Sequence, residues 1–329
     1  MLTWFWLVEF AFSMAMYVVL DGFDLGVGVL SGLVGSRSLR EEMVSSISPV
    51  WDGNGTWLVV AASILFGAFP VVYSVLLPGL YIPLALMLVG LIGRGVALEF
   101  QHAASSTRWI WSVVLCLGSL LAAFMQGVAA GTYAQGLPVV DMKYAGNGLE
   151  WLSPFPLWCG LGLVLGYMVL GAAWLILKGE GKLQDFARSM LGRILPLTLL
   201  VAALVLAATL MTHTQVAERW HANPSLYALP VLALLAFLGS LFTAKAGATR
   251  APFTLAAAGF VLLLLTLAAS YLPYIVPFSL TLSEASAPPS SQEFLFWGAG
   301  LFVLPLIVGY TYVAYRVFRG KTHHEHAYH

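Results

Sequence analysis

Acidic residues within an otherwise apolar chain mark where this protein could do chemistry. Asp21 and Asp24 stand three apart in the run Asp21-Gly22-Phe23-Asp24-Leu25-Gly26-Val27-Gly28, a spacing that sets both carboxyls on one helix face. Carboxyls this close tend to hold one proton between them, because two like charges repel. The pair therefore suits a proton relay or an ion site. It equally suits a static role, neutralised by arginines at a membrane edge. Gly22 and Gly26 form a small-xxx-small pair that lets a second helix approach. A second cluster is Pro49-Val50-Trp51-Asp52-Gly53-Asn54-Gly55-Thr56-Trp57. Asp52 or Asn54 could cap the helix that begins there by accepting a free backbone N–H. Capping alone leaves the flanking tryptophans unexplained, so Asp52 is also a candidate functional carboxylate. Arg94, Glu99 and His102 form a third group. Arg94 and Glu99 lie five apart, off a common face, so each is expected to pair across to another helix, with Asp21 and Asp24 as candidate partners. Glu9 is isolated and reads as a carboxylate reaching for the outer surface.

The elements that must position these residues follow from composition. Of 329 residues, 60% are hydrophobic and 9% charged, and the mean hydropathy is +0.88. A soluble domain carries roughly 25% charged residues, so most of this surface must face lipid or an apolar partner. About 20 apolar residues cross a bilayer as a helix. On that template the sequence predicts an all-α integral membrane protein with about nine transmembrane helices, near 3–32, 54–76, 79–98, 109–129, 155–177, 192–212, 226–244, 253–271 and 294–316. Pro70, Pro78 and Gly79 mark a tight turn between the second and third. Residues 130–153 and 272–292, rich in Gly, Pro and Ser, read as surface loops. The N-terminus lacks a basic leader and an Ala-x-Ala site, so the first segment reads as a retained helix. Residues 1–320 form one polytopic domain, followed by a His-rich cytoplasmic tail at 321–329.

Orientation follows from the basic residues. With the N-terminus outside, thirteen of the 15 Lys and Arg fall on the inner side, including Arg94, and only Lys143 and Arg219 on the outer. That bias places the C-terminus in the cytoplasm. A net charge of zero offers no basic footprint for nucleic acid. Cys116 and Cys159 read as small packing residues. No histidine falls in the middle of a predicted span, His213 and His221 being at the outer edge and His102 at the inner. Met14 and Met16 read as packing. A haem needs His, Met, Cys or Tyr as axial ligand, so the residues predict no redox metal centre, and no metal site, in this chain.

The acidic motifs resemble a known family. The run from Asp21 to Gly28 is similar to the first-helix motif of subunit II of cytochrome bd-type quinol oxidases. Pro49-Val50-Trp51-Asp52-Gly53-Asn54 with Trp57-Leu58-Val59 resembles that family's second-helix motif. Leu65-Phe66-Gly67-Ala68-Phe69-Pro70, Tyr73, Arg94-Gly95 and Glu99-Phe100 also fit. The likeness is dense over roughly residues 17–102. Beyond, it rests on hydropathy and on Val303-Leu304-Pro305, Tyr310-Thr311 and Tyr315-Arg316-Val317-Phe318-Arg319-Gly320, which is similar to the cyanide-insensitive branch.

The resemblance implies a respiratory complex of the bacterial inner membrane that oxidises quinol and reduces dioxygen. Its haem-bearing subunit I would be the partner, carrying haems b and d, with small single-span subunits in some assemblies and a structural quinone in some members. Subunit II would carry no haem, stabilise subunit I and supply carboxylates to proton uptake from the cytoplasm. The family's proton-path carboxylate carries over onto Asp52 and its neighbouring tryptophan onto Trp51, and Asp24 matches a second acidic position in the first helix. With Asp21 beside it these are the candidate proton-path residues, and Arg94, Glu99 and Asn54 would be structural or ion-pairing polar groups. Asn54-Gly55-Thr56 departs from the family pattern, in which Gln or Glu often follows the Asn, so position 55 has no side chain to contribute. From the residues alone, a proton-coupled secondary transporter using Asp21, Asp24 and Asp52, or a purely structural scaffold, remains open.

Overall fold

Lipid offers no hydrogen bonds to a peptide backbone, so apolar runs of this length must satisfy their own N–H and C=O groups as helices. In the computed structural model the described residues are 1–103 and 106–321, the side chains of His102 and Ala103 excepted. Fourteen α-helical segments order the described residues. They are α1 (Leu2–Ser31), α2 (Arg37–Ile47), α3 (Trp51–Ala68), α4 (Pro70–Gly79), α5 (Tyr81–Ala103), α6 (Arg108–Gln135) and α7 (Pro154–Lys178). Then follow α8 (Gly181–Thr212), α9 (Thr214–Ala222), α10 (Ala228–Lys245), α11 (Ala251–Tyr271), α12 (Leu282–Ala285), α13 (Pro289–Leu295) and α14 (Val303–Val317). A π-helical turn at Phe296–Gly300 joins α13 to α14. The His-rich tail beyond Lys321 lies outside the described residues.

Among the described residues, eight helices are long and apolar enough to cross a membrane. The predicted span 54–76 is not one of them. It is divided at Phe69, whose backbone (φ −134°, ψ 58°) leaves the helical region, and Pro70 opens α4. Proline lacks the N–H that a continuing helix would need and suits a first helical turn. The sequence had suggested a turn spanning Pro70 to Gly79; instead Pro78 and Gly79 end α4 itself, and only Leu80 separates it from α5. α3 has Asp52, Asn54 and two glycines in its first turns and so falls short of a uniformly apolar span.

The C-terminal half of α1 is the axis of the fold. Phe23, Leu25, Val27 and Leu30 are fully buried, and α1 packs on α3, α6, α7 and α11. Its approach to α7 is backbone on backbone. A Cβ built on Gly26 would overlap the Tyr167 carbonyl, and one on Gly171 would lie 2.6 Å from the Gly26 carbonyl carbon. Phe23 stacks on Trp174 beside this crossing, with ring centroids 4.0 Å apart.

The two long connectors carry local structure. In the first, β1 (Val139–Val140) and β2 (Lys143–Tyr144) form a hairpin in which Val139 opposes Tyr144. Its two-residue turn places Asp141 and Met142 at φ 50° and 59°, the left-handed pairing that matches strand twist. In the second, β3 (Tyr274–Val276) pairs with β4 (Leu280–Thr281), and a Thr281–Glu284 capping box starts α12. At the C-terminal end, α7 and the segment after α14 exchange lysines. Lys178 Nζ donates to the Phe318 and Gly320 carbonyls, and Lys321 Nζ donates to Gly179 O at 2.9 Å. Cations suit these helix ends, where backbone carbonyls are left over.

Candidate functional site: a buried acid–arginine cluster

Helices α3, α5 and α14 converge on the acidic half of α1. Asp21 and Asp24 are 1% and 0% exposed, and Arg94 is 3% exposed. Arg94 Nη1 donates to Asp21 Oδ1 at 2.5 Å, so α5 answers the first carboxylate of α1 with a charge. The second is met by α3: Asn54 Nδ2 donates to Asp24 Oδ2 at 2.7 Å and lies 3.3 Å from the Leu20 carbonyl. Tyr315 of α14 donates its hydroxyl to Asn54 Oδ1 at 2.9 Å. The Arg94 guanidinium carbon also sits 5.8 Å from the centroid of the Trp51 ring, within range of a cation–π contact.

A second hydrogen-bonded chain approaches the same carboxylate from inside the bundle. Tyr167 of α7 donates to Gln126 Oε1 at 2.8 Å, and Gln126 Nε2 donates to the Tyr17 hydroxyl oxygen at 2.5 Å. Tyr17 lies one helical turn before Asp21 on α1, on the same face. The Tyr17 oxygen is an acceptor in this bond, which leaves its proton for the Asp21 carboxyl it faces.

Two carboxyls face one guanidinium, so one of the two must hold a proton or stand as an unmatched anion in a low-dielectric interior. Asp21 Oδ2, Asp24 Oδ1 and Arg94 Nε are buried without hydrogen-bond partners among the described residues. Buried polar atoms are seldom left so. The cluster thus pairs two buried carboxyls with one buried guanidinium and leaves hydrogen-bonding capacity unfilled on all three. No group of three or more His, Cys, Asp or Glu side chains converges as a metal site among the described residues. Cys116 and Cys159 are free, partly buried thiols.

The structure brings Asp21, Asp24, Asn54, Arg94 and Trp51 together and sets two expected residues apart. Asp52 is exposed, and Glu99 is exposed with no ion pair among the described residues. The capping role expected of Asp52 or Asn54 is corrected: Val50 occupies the N-cap of α3, without a side-chain bond. Asp52 is in the first turn, on the outer side, while Asn54 points inward to Asp24. Asp52 still benefits from the positive end of the helix. The expectation that Arg94 pairs across to α1 holds. The same pair removes Arg94 from the inner basic residues, leaving twelve against two. His102 lies outside the described side chains. Sequence reasoning missed Tyr17, Gln126, Tyr167 and Tyr315. The available signal was Gln126, an amide in the middle of an apolar segment, which must find partners.

A helical membrane protein with a buried acid–arginine cluster is thus the class that fold and site define. The model for cytochrome bd terminal oxidase subunit II matches residues 2–318. Cytochrome bd ubiquinol oxidase subunit 2 of Bacillus subtilis (strain 168) is 30% identical over 330 residues, covering 97% of this chain and 96% of that protein. Cytochrome bd-I ubiquinol oxidase subunit 2 of Escherichia coli (strain K12) is 29% identical over 345 residues, covering 93% and 91%. The chain belongs to the cytochrome bd terminal oxidase subunit II family. The solved bd oxidase from Geobacillus thermodenitrificans shares the fold, with a TM-score of 0.79 and 19% identity over 96% of this chain and 98% of that one.

Proposed function

We propose that this chain is the non-haem subunit of a bacterial quinol:dioxygen oxidoreductase, packed against a haem-bearing subunit I, and that its acid cluster serves proton uptake from the cytoplasm. The observation that carries the reading is the linked set Arg94–Asp21 and Tyr315–Asn54–Asp24, buried where α1, α3, α5 and α14 meet. Reduction of dioxygen consumes protons within the membrane, and carboxyls with unfilled hydrogen-bonding capacity can store and pass them where lipid cannot. The first turn of α3 has two sides with two tasks. Asp52 faces out of the fold, where it can collect protons or meet a partner, and Asn54 faces in and fixes Asp24. Trp51 lies over Arg94 between them. The N-terminus is outside and the C-terminus cytoplasmic, with α3 and α4 together making a ninth crossing; the twelve-to-two distribution of the remaining basic residues supports this.

Asp52→Asn and Asp52→Leu in the assembled oxidase test the reading. Because Asp52 does not cap α3, both variants should assemble with full haem content, and both should lose oxygen-reduction turnover to a similar degree. Full activity in the Leu variant would remove Asp52 from the route. The isolated chain should show no Soret absorption; a stoichiometric haem retained by it would overturn the non-haem assignment.

A further inference from the structure

Beside Asn54, between the first turns of α3 and the middle of α14, lies a cavity with room for the centre of about one water molecule, roughly 10 Å³. Val50, Gly53, Asn54, Tyr310, Thr311 and Tyr315 are among its lining residues. That volume is at the lower limit for one water, which also needs two to four polar partners.

Thr311 supplies the unusual feature. Hydroxyls in this chain's helices commonly bond back to the carbonyl four residues earlier, as Thr132, Thr198, Thr209 and Thr266 do. Such back-bonding is the ordinary fate of a helical threonine. Thr311 Oγ1 does not follow it: the atom is buried and has no hydrogen-bond partner among the described residues. Two of its neighbours on the cavity wall, Tyr310 and Tyr315, carry hydroxyls. The Tyr315 hydroxyl has spent its proton on Asn54 Oδ1 and retains acceptor capacity. Tyr310 lies over Gly53, where a Cβ would come 3.0 Å from its ring and 3.6 Å from its hydroxyl oxygen.

We infer that one water molecule is bound between α3 and α14, held by Thr311 and Tyr315, and that it fixes the direction of the hydrogen bonds running to Asp24. The water donates to the Tyr315 oxygen and accepts from Thr311, which leaves the Tyr315 proton to point at Asn54 Oδ1. With its oxygen so engaged, the Asn54 amide must turn its NH₂ toward Asp24. Thr311 and Tyr315 are thereby positioning residues for the carboxyl, acting through an amide whose orientation would otherwise be free to flip. No bond is made or broken in this arrangement. It deepens the proton-uptake reading and rests on it only for its effect on turnover.

The test uses the assembled oxidase with wild-type chain, Thr311→Val and Thr311→Ser, each imaged by cryo-electron microscopy and assayed for turnover per haem. Wild type and the Ser variant should show density within hydrogen-bonding reach of the residue-311 and Tyr315 oxygens, about 2.6–3.2 Å. The Val variant should lose that density, and the Tyr315–Asn54 contact should lengthen. Its turnover should fall about five-fold, the weight of one neutral hydrogen bond, with the Ser variant restored. Absent density in wild type, or a Thr311 hydroxyl found bonded to its own helix, overturns the inference, as does full turnover in the Val variant when Asp24→Asn is impaired. If Asp24→Asn is itself fully active, the proton-uptake reading fails. The bound water is then judged on the density and on the Tyr315–Asn54 contact alone.

Discussion

Replacing Arg94 by methionine probes the cluster with the least change in volume. The pair it breaks has an N–O distance of 2.5 Å and side chains only 4% and 1% exposed. Removing one partner of a buried ion pair costs about 3–5 kcal/mol, because the other charge is stranded. The expected loss is therefore about 3–5 kcal/mol. Unfolding of the purified complex in a mixed-micelle titration measures it. Arg94→Met with Asp21→Asn should recover more than half the loss, since neither charge is then stranded. A single variant within about 1 kcal/mol of wild type would refute the argument that this pair is buried and mutually dependent.

Two further expectations test the packing and the connecting helix. Gly26→Ala should prevent accumulation of folded chain, because its Cβ would overlap the Tyr167 carbonyl, whereas Gly55→Ala meets nothing within 4 Å and should be tolerated; immunodetection of membrane fractions compares them. In the α2 segment, burial pushes the Glu41 carboxyl up, but hydrogen bonds from Arg37 and Arg108 more than offset this and hold it below the ordinary carboxylate range. Its stabilisation is thus fully present above about pH 4.3 and is lost as pH falls through the depressed value. Since Glu41 is 42% exposed, screening limits this to well under 1 kcal/mol. Hydrogen exchange of α2 should rise below pH 4 in wild type, and that acid step should diminish in Arg108→Gln.

How far the sequence reached differs from element to element. The Arg94–Asp21 pair was legible because a charge within an apolar helix must find its opposite, and few candidates existed. Asp24–Asn54 was not: Asn54 begins an apolar run, so local chemistry favours a cap, and only the crossing of α1 with α3 turns its amide inward. Glu99 and Arg94 share a helix five residues apart, enough to send one into the bundle and the other outside it. The break at Phe69–Pro70 was visible as a proline but was read as a turn, since hydropathy alone continues smoothly to residue 76. The hairpin at residues 139–144 escaped because two-residue strands carry too few positions for alternation to register. Tyr315 lies 261 residues from its partner Asn54, a distance over which no periodicity speaks.

Proton uptake by the assembled oxidase, timed with a pH-indicator dye as the reduced enzyme meets dioxygen, tests the central claim most directly. The wild-type complex should take up protons from the cytoplasmic side in step with oxygen reduction. Complexes carrying Asp24→Asn or Asp52→Asn, with unchanged haem content, should show delayed uptake. Uptake at the wild-type rate in both variants would contradict the account and leave the buried cluster a structural one.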